Sequence, residues 1–137
     1  MKINTQEILK EHGLKDTPVR STLLSIFWQS RTPLDVEGLS KILSFMKVKT
    51  DVTTIYRTLQ IFLEKGILKQ IELQEGKFRY ERASLPHHHH LVCKKCGDIS
   101  GVGGCTVEEI SKDIAQKNEF KITDHKMEFF GFCAKCH

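Results

Sequence analysis

Four stretches in the first half of the chain repeat apolar residues at helical spacing, and each is bracketed by a start or stop signal. The first runs from Asn4 to His12 and ends at Gly13. In the second, Thr17 is an N-cap and Pro18 a first-turn proline, and Val19, Leu23, Leu24, Ile26 and Phe27 form the inward stripe to about Ser30. Asp35 opens the third, with Val36, Leu39, Ile42, Leu43 and Met46 inward, and Lys47 to Thr50 follow as a polar turn. The fourth, capped by Asp51 or Thr53, carries Ile55, Leu59, Phe62 and Leu63 on one face and stops at Gly66.

The period then shortens to that of a strand. Ile67 to Leu73 and Lys77 to Arg82 are expected strands, with Phe78 and Tyr80 sharing a face and Gln74-Glu75-Gly76 closing a hairpin. Helices followed by a hairpin predict a winged helix-turn-helix whose fourth helix enters the major groove of DNA. On that helix Thr53, Thr54, Tyr56, Arg57 and Gln60 avoid the apolar stripe and suit base edges and phosphates. A plain solvated face is the competing reading.

Pro86 cannot donate to a ladder, so the wing should end at Ser84-Leu85-Pro86. This divides the chain into residues 1–83, a hinge at 84–86, and residues 87–137. Beyond the hinge, His88 to Cys93 reads as a strand, Ile99 begins another, and Gly101 to Gly104 reads as a flexible loop. Thr106 and Glu109 are spaced as a capping box for a helix to about Lys117. Phe120 to Phe132 is expected as a long strand leading into Cys133. The fold class is α+β: a winged-helix domain, then a small α/β domain.

Charge and chemistry divide at the same place. Residues 1–82 hold 14 Lys and Arg against 10 Asp and Glu, whereas residues 83–137 hold 7 of each. All five cysteines and six of the seven histidines lie in the second part. A basic, thiol-free half touching a polyanion and a neutral half touching metal are the partners this implies. No apolar run is long enough to span a membrane and no export signal is present, so a reducing, cytoplasmic setting is expected.

Cys93-x-x-Cys96 and Cys133-x-x-Cys136 present two pairs of thiolates, the donor set of a closed structural zinc site. A thioredoxin-like redox pair is the alternative. The run His87-His88-His89-His90 is the second feature. On an extended strand His87 and His89 face one way and His88 and His90 the other, so one tetrapeptide can serve two metal sites. Glu81, Glu108 and His125 are candidate partners. Cys105, the odd thiol, reads as a small packed residue, with an extra-ligand or redox role as the alternative.

Residues 13–20 (GLKDTPVR), 51–66 (DVTTIYRTLQIFLEKG), 81–97 (ERASLPHHHHLVCKKCG) and 133–136 (CAKC) together resemble the ferric uptake regulator family. The resemblance implies a homodimeric, metal-sensing repressor that binds a pseudo-palindromic operator in double-stranded DNA. It also implies a C-terminal dimerisation domain, structural Zn2+ and a regulatory divalent metal such as Fe2+, Zn2+ or Mn2+. Carried over by position, Cys93, Cys96, Cys133 and Cys136 match the structural zinc ligands. His87, His89, Glu108 and His125 match a site within the dimerisation domain. Glu81, His88 and His90 match part of the sensory site. Tyr56 and Arg57 match DNA-contacting positions, and Lys15 matches a basic residue approaching the DNA backbone or minor groove.

Two departures stand out. Pro33 occupies the loop where the family often has a sensory histidine, and Ser100-Gly101 replace a common acidic ligand. The first also weakens the alternative of a peroxide-sensing repressor carrying iron or manganese, since that chemistry acts on histidines around the metal. A small zinc hydrolase or deaminase is a further alternative, but the H-x-E and P-C-x-x-C signature is absent. An RNA-binding zinc module would need an exposed aromatic platform that is not evident.

Overall fold

The computed structural model describes residues 2–137. It divides into two compact units, one ending at Ser84 and the other running Leu85–His137. In the first unit α1 (Thr5–Glu11), α2 (Pro18–Gln29), α3 (Val36–Phe45) and α4 (Val52–Glu64) precede β1 (Leu68–Glu72) and β2 (Phe78–Arg82).

Capping fixes where these helices start. The side chains of Asn4, Thr17, Asp35 and Asp51 each accept the backbone N–H three residues on, in the first turn of the following helix. Asp51 is therefore the cap of α4, and Thr53 lies inside it. Gly13 and Gly66 take left-handed φ values of 68° and 71° just past α1 and α4, where a side chain would be strained.

The core is built from one face of each helix. Leu9, Leu23, Leu24, Phe27, Leu39, Leu43, Ile55, Leu59 and Phe62 are buried together, with Ile67, Leu68 and Tyr80 from the hairpin. Each such leucine contributes roughly 1.5–3 kcal/mol of transfer free energy. Met46 departs from expectation. It is the C-cap of α3 rather than part of its stripe, and is 49% exposed.

β1 and β2 pair antiparallel from Leu68↔Arg82 to Glu72↔Phe78. Leu34 adds a bridge to Tyr80, exchanging both backbone hydrogen bonds at 2.8 and 2.9 Å. The wing is also tied down by side chains. Arg79 chelates Glu75 with two bonds of 2.8 Å and donates to the Pro33 carbonyl at 3.1 Å, while Lys77 donates to Asp35. Arg82 lies 5.2 Å from the centre of the Trp28 ring, a cation–π contact. Tyr80 is buried, but Phe78, where the ladder ends, is half exposed.

The second unit contains β3 (His89–Cys93), β4 (Ile99–Val102), α5 (Val107–Lys117) and β5 (Glu128–Gly131). The sheet order is β4-β3-β5, with β4 antiparallel and β5 parallel to β3. Three expectations need correcting. The long final strand shrinks to four residues, because β3 offers β5 a ladder only from His90 to Cys93. Gly101 and Val102 belong to β4, paired with His90 and His89, not to a loop. Thr106 makes no side-chain cap bond, because its backbone (φ −94°, ψ 0°) is not the extended form that aims a cap at the helix.

Candidate metal centres and nucleic-acid interface

The outer face of α4 carries the groups expected to meet DNA. Ile55, Thr58, Leu59 and Phe62 anchor the helix in the core, which leaves Thr53, Tyr56, Arg57 and Gln60 exposed. Tyr56 is 53% exposed. Thr54 is only half buried, and its side chain as well as its backbone N–H hydrogen-bonds the Asp51 carboxylate, so it is partly committed to the helix cap. Lys15 is exposed before α2, and its carbonyl accepts the Arg20 guanidinium at 2.9 Å.

The four cysteines of the two CxxC pairs come together although 36 residues separate Cys96 from Cys133. Cys93 ends β3, and its turn closes through Gly97 N–H to the Cys93 carbonyl at 3.0 Å. Lys94 N–H donates to the Gly131 carbonyl at 2.7 Å, which fastens that turn to the end of β5 and to the second pair beyond it. All four sulfurs lie within 4.8 Å of one another. Cys96 Sγ and Cys133 Sγ are 3.7 Å apart, too far for a disulfide. Zinc–thiolate bonds of about 2.3 Å in a tetrahedron set sulfur–sulfur edges of about 3.8 Å. The donor set and its spacing fit zinc.

The electrostatics agree. Hydrogen bonds from the backbone N–H groups of Cys133 and Cys96 pull the Cys93 thiol down to about 6. Hydrogen bonding with Cys133 and burial push Cys136 up to about 12. Four crowded thiols cannot all ionise against one another unless a cation balances the set.

The histidine run alternates across the strand as its spacing requires. His88 Nε2 and His90 Nε2 converge to 3.2 Å. Each ring is held from behind, His88 Nδ1 by the Pro86 carbonyl at 2.8 Å and His90 Nδ1 by Glu128 Oε2 at 3.2 Å. This is the supporting shell that orients metal-binding imidazoles, and Glu128 was not singled out from the sequence. Its signal was the parallel pairing of β3 with β5, which no local pattern announces. Glu81, the third expected sensory residue, sits on β2 opposite Lys69, whose Nζ is 3.2 Å from its carboxylate.

On the other face, His87, His89 and His125 gather with a fourth donor that is not the expected one. Their ligand atoms lie within 4.8 Å of each other and of Cys105 Sγ. Glu108 is not part of that group, although it lines the same cavity of about 430 Å³ as His87, Cys105 and His125. Burial, followed by the neighbouring charges of His87 and His125, lowers the His89 pKa and keeps that imidazole in the neutral form that binds metal.

A winged helix followed by a small α/β unit rich in clustered metal donors defines a metal-responsive DNA-binding regulator. The ferric uptake regulator family model matches residues 11–130, and the chain belongs to that family. It is 35% identical over 136 residues to the ferric uptake regulation protein of Neisseria meningitidis serogroup A, covering 98% of this chain and 94% of that protein. Among solved structures it is similar to the Vibrio cholerae ferric uptake regulator, with a TM-score of 0.84 and 30% identity over 95% of this chain and all of that one. The Helicobacter pylori regulator, described as having three functional metal-binding sites, gives a TM-score of 0.82 at 26% identity, covering 96% and 87%. The chain is thus a transcription regulator and not an enzyme, it binds DNA as a dimer, and metal ions are its cofactors. No helix among the described residues is long and apolar enough to cross a membrane.

Proposed function

We propose that this protein is a cytoplasmic, iron- or zinc-responsive repressor of metal-uptake genes, switched by a divalent cation held by His88, His90 and Glu81. The single observation carrying this reading is the convergence of two backed imidazoles, His88 and His90, immediately after Pro86. The name of the Neisseria relative supports control of iron uptake. Five free cysteines suit a reducing compartment.

A bound cation would cross-link the wing, through Glu81, to the start of β3 and so restrict the hinge. Everything else is done by the chain. Ser84 to Pro86 set the freedom between the domains, and the Cys93, Cys96, Cys133 and Cys136 site holds the second unit's two turns together. Tyr56 and Arg57, with Thr53 and Thr54 beside them, read the major groove, and Lys15 meets the phosphate backbone. Two copies must present their α4 helices one helical turn apart on a pseudo-palindromic operator, so hinge freedom costs affinity.

The test is operator binding by fluorescence anisotropy at fixed salt, with and without added Fe2+, Zn2+ or Mn2+. His88→Ala combined with His90→Ala should abolish the metal response and leave the thiolate-bound zinc in place. A metal response that survives in the double variant refutes the assignment.

A further inference from the structure

The family resemblance assigns Glu108 to the metal site within the dimerisation domain, but the chain folds a different donor into that place. Cys105 Sγ lies 3.2 Å from His89 Nε2 and 3.4 Å from His125 Nε2. His87 Nε2 lies 3.2 Å from His125 Nε2. The three rings pack with centroids 4.8 to 5.3 Å apart, two pairs edge-on and one tilted, and the Nε2 atom of each faces the shared cluster.

These separations can be compared with a coordination polyhedron. Zinc–nitrogen bonds of about 2.0–2.1 Å and a zinc–sulfur bond of about 2.3 Å set tetrahedral edges of about 3.3 Å between nitrogens and about 3.6 Å between nitrogen and sulfur. The observed distances of 3.2 to 3.4 Å lie within a few tenths of an ångström of those edges. Local structure explains how the thiol arrives. Gly104 adopts a left-handed φ of 76°, which turns the chain between β4 and α5 back over the His87 and His89 face of β3. His89 also has the backing expected of a ligand, since its ring hydrogen-bonds to the backbone of Met127.

We propose that His87, His89, Cys105 and His125 form a closed, four-coordinate site of three imidazoles and one thiolate, selective for a thiophilic divalent cation and suited above all to Zn2+. On binding, the Cys105 thiol gives its proton to solvent and the sulfur becomes the fourth ligand. A thiolate in place of a carboxylate shifts preference away from Mn2+ and Mg2+, and four protein donors leave no open position for chemistry. Glu108 lines the same cavity as His87, Cys105 and His125 but lies outside the group of converging donors. The inference does not depend on which residues sense metal in the reading above.

The test uses full-length protein whose four-thiolate site already holds zinc, titrated with Co2+ as a spectroscopic probe. Zinc content is measured before and after, to exclude exchange. One equivalent of Co2+ should produce intense tetrahedral d–d bands and a near-ultraviolet thiolate-to-cobalt charge-transfer band. Cys105→Ser should abolish the charge-transfer band and weaken Zn2+ binding by more than the roughly 10- to 100-fold that loss of a supporting hydrogen bond costs. Glu108→Gln should leave both unchanged. Cys105→Asp should raise the Mn2+ to Zn2+ affinity ratio, with circular dichroism confirming that each variant folds. A charge-transfer band that persists in Cys105→Ser, or one lost in Glu108→Gln, overturns the proposal. These readouts are independent of operator binding, so failure here is distinguishable from failure of the sensory assignment.

Discussion

Asp35 performs two separable tasks, and substituting it tests whether the wing is held as described. Its Oδ1 caps α3 by accepting Gly38 N–H at 2.8 Å, and its Oδ2 accepts from Lys77 in the hairpin turn. Asp35→Asn keeps a good cap and removes the ion pair, whereas Asp35→Ala removes both. The Lys77 side chain is 44% exposed, so solvent screening limits the pair to about 0.5 kcal/mol. Loss of the cap costs about 1 kcal/mol more. For a unit of this size Asp35→Ala should therefore lower Tm by roughly 6–12 °C, and Asp35→Asn by about a third of that.

The pH dependence supplies a second readout. Burial pushes the Asp35 carboxyl up. The hydrogen bonds from Lys77 and Gly38 and the charges of Lys77 and Arg79 outweigh this and hold it below the ordinary aspartate range. A carboxyl depressed on folding adds stability above its unfolded value, and that stability is lost as pH falls through the folded value. The gap between wild type and Asp35→Asn should hence be constant near neutrality, shrink at high salt, and close in acid. Thermal melts followed by the single tryptophan, Trp28, would measure it. Equal losses for Asn and Ala, or a gap insensitive to both salt and acid, would refute this division of labour.

Further outcomes follow from the other sites. Tyr56→Ala and Arg57→Ala should each cost about 1–3 kcal/mol of operator affinity with unchanged Tm, whereas Lys15→Ala should weaken all sequences alike and reduce the salt slope by about one; anisotropy titrations at several salt concentrations distinguish the two patterns. Cys96→Ser should release the structural zinc and unfold the second unit while the first retains its helices, read by metal analysis and limited proteolysis. Leu91 and Phe129 are register partners on adjacent strands and are both about half exposed, so Phe129→Glu should weaken the dimer, seen as a concentration-dependent shift in sedimentation.

The helices and hairpin of the first unit were legible because each carries its own punctuation. Thr17-Pro18, Asp35, Asp51 and Gly66 act on neighbours a few residues away, and the stripes between them repeat over two turns or more. Met46 misled because it lies on the extended stripe of α3 one residue beyond the helix. The second unit was read less well. Phe120 to Phe132 is rich enough in aromatics to suggest a strand, yet pairing is set by the short length of β3 that remains available. The CxxC pairs and the alternation of the histidines were visible because covalent spacing determines them. Cys105 was not assigned to a cluster, since its partners lie 16, 18 and 20 residues away and only the turn at Gly104 brings them within reach.

The sharing of four consecutive histidines between two faces of one strand imposes a rule of parity on this segment. Inserting or deleting a single residue between His90 and Cys93, with the Cys93 turn still fastened to Gly131, leaves the run intact in composition. It nevertheless rotates every imidazole through half a turn and exchanges the two sets of ligands. Inserting two residues restores the assignment. The segment can therefore lengthen or shorten only in even steps, a constraint that no single-residue substitution would expose.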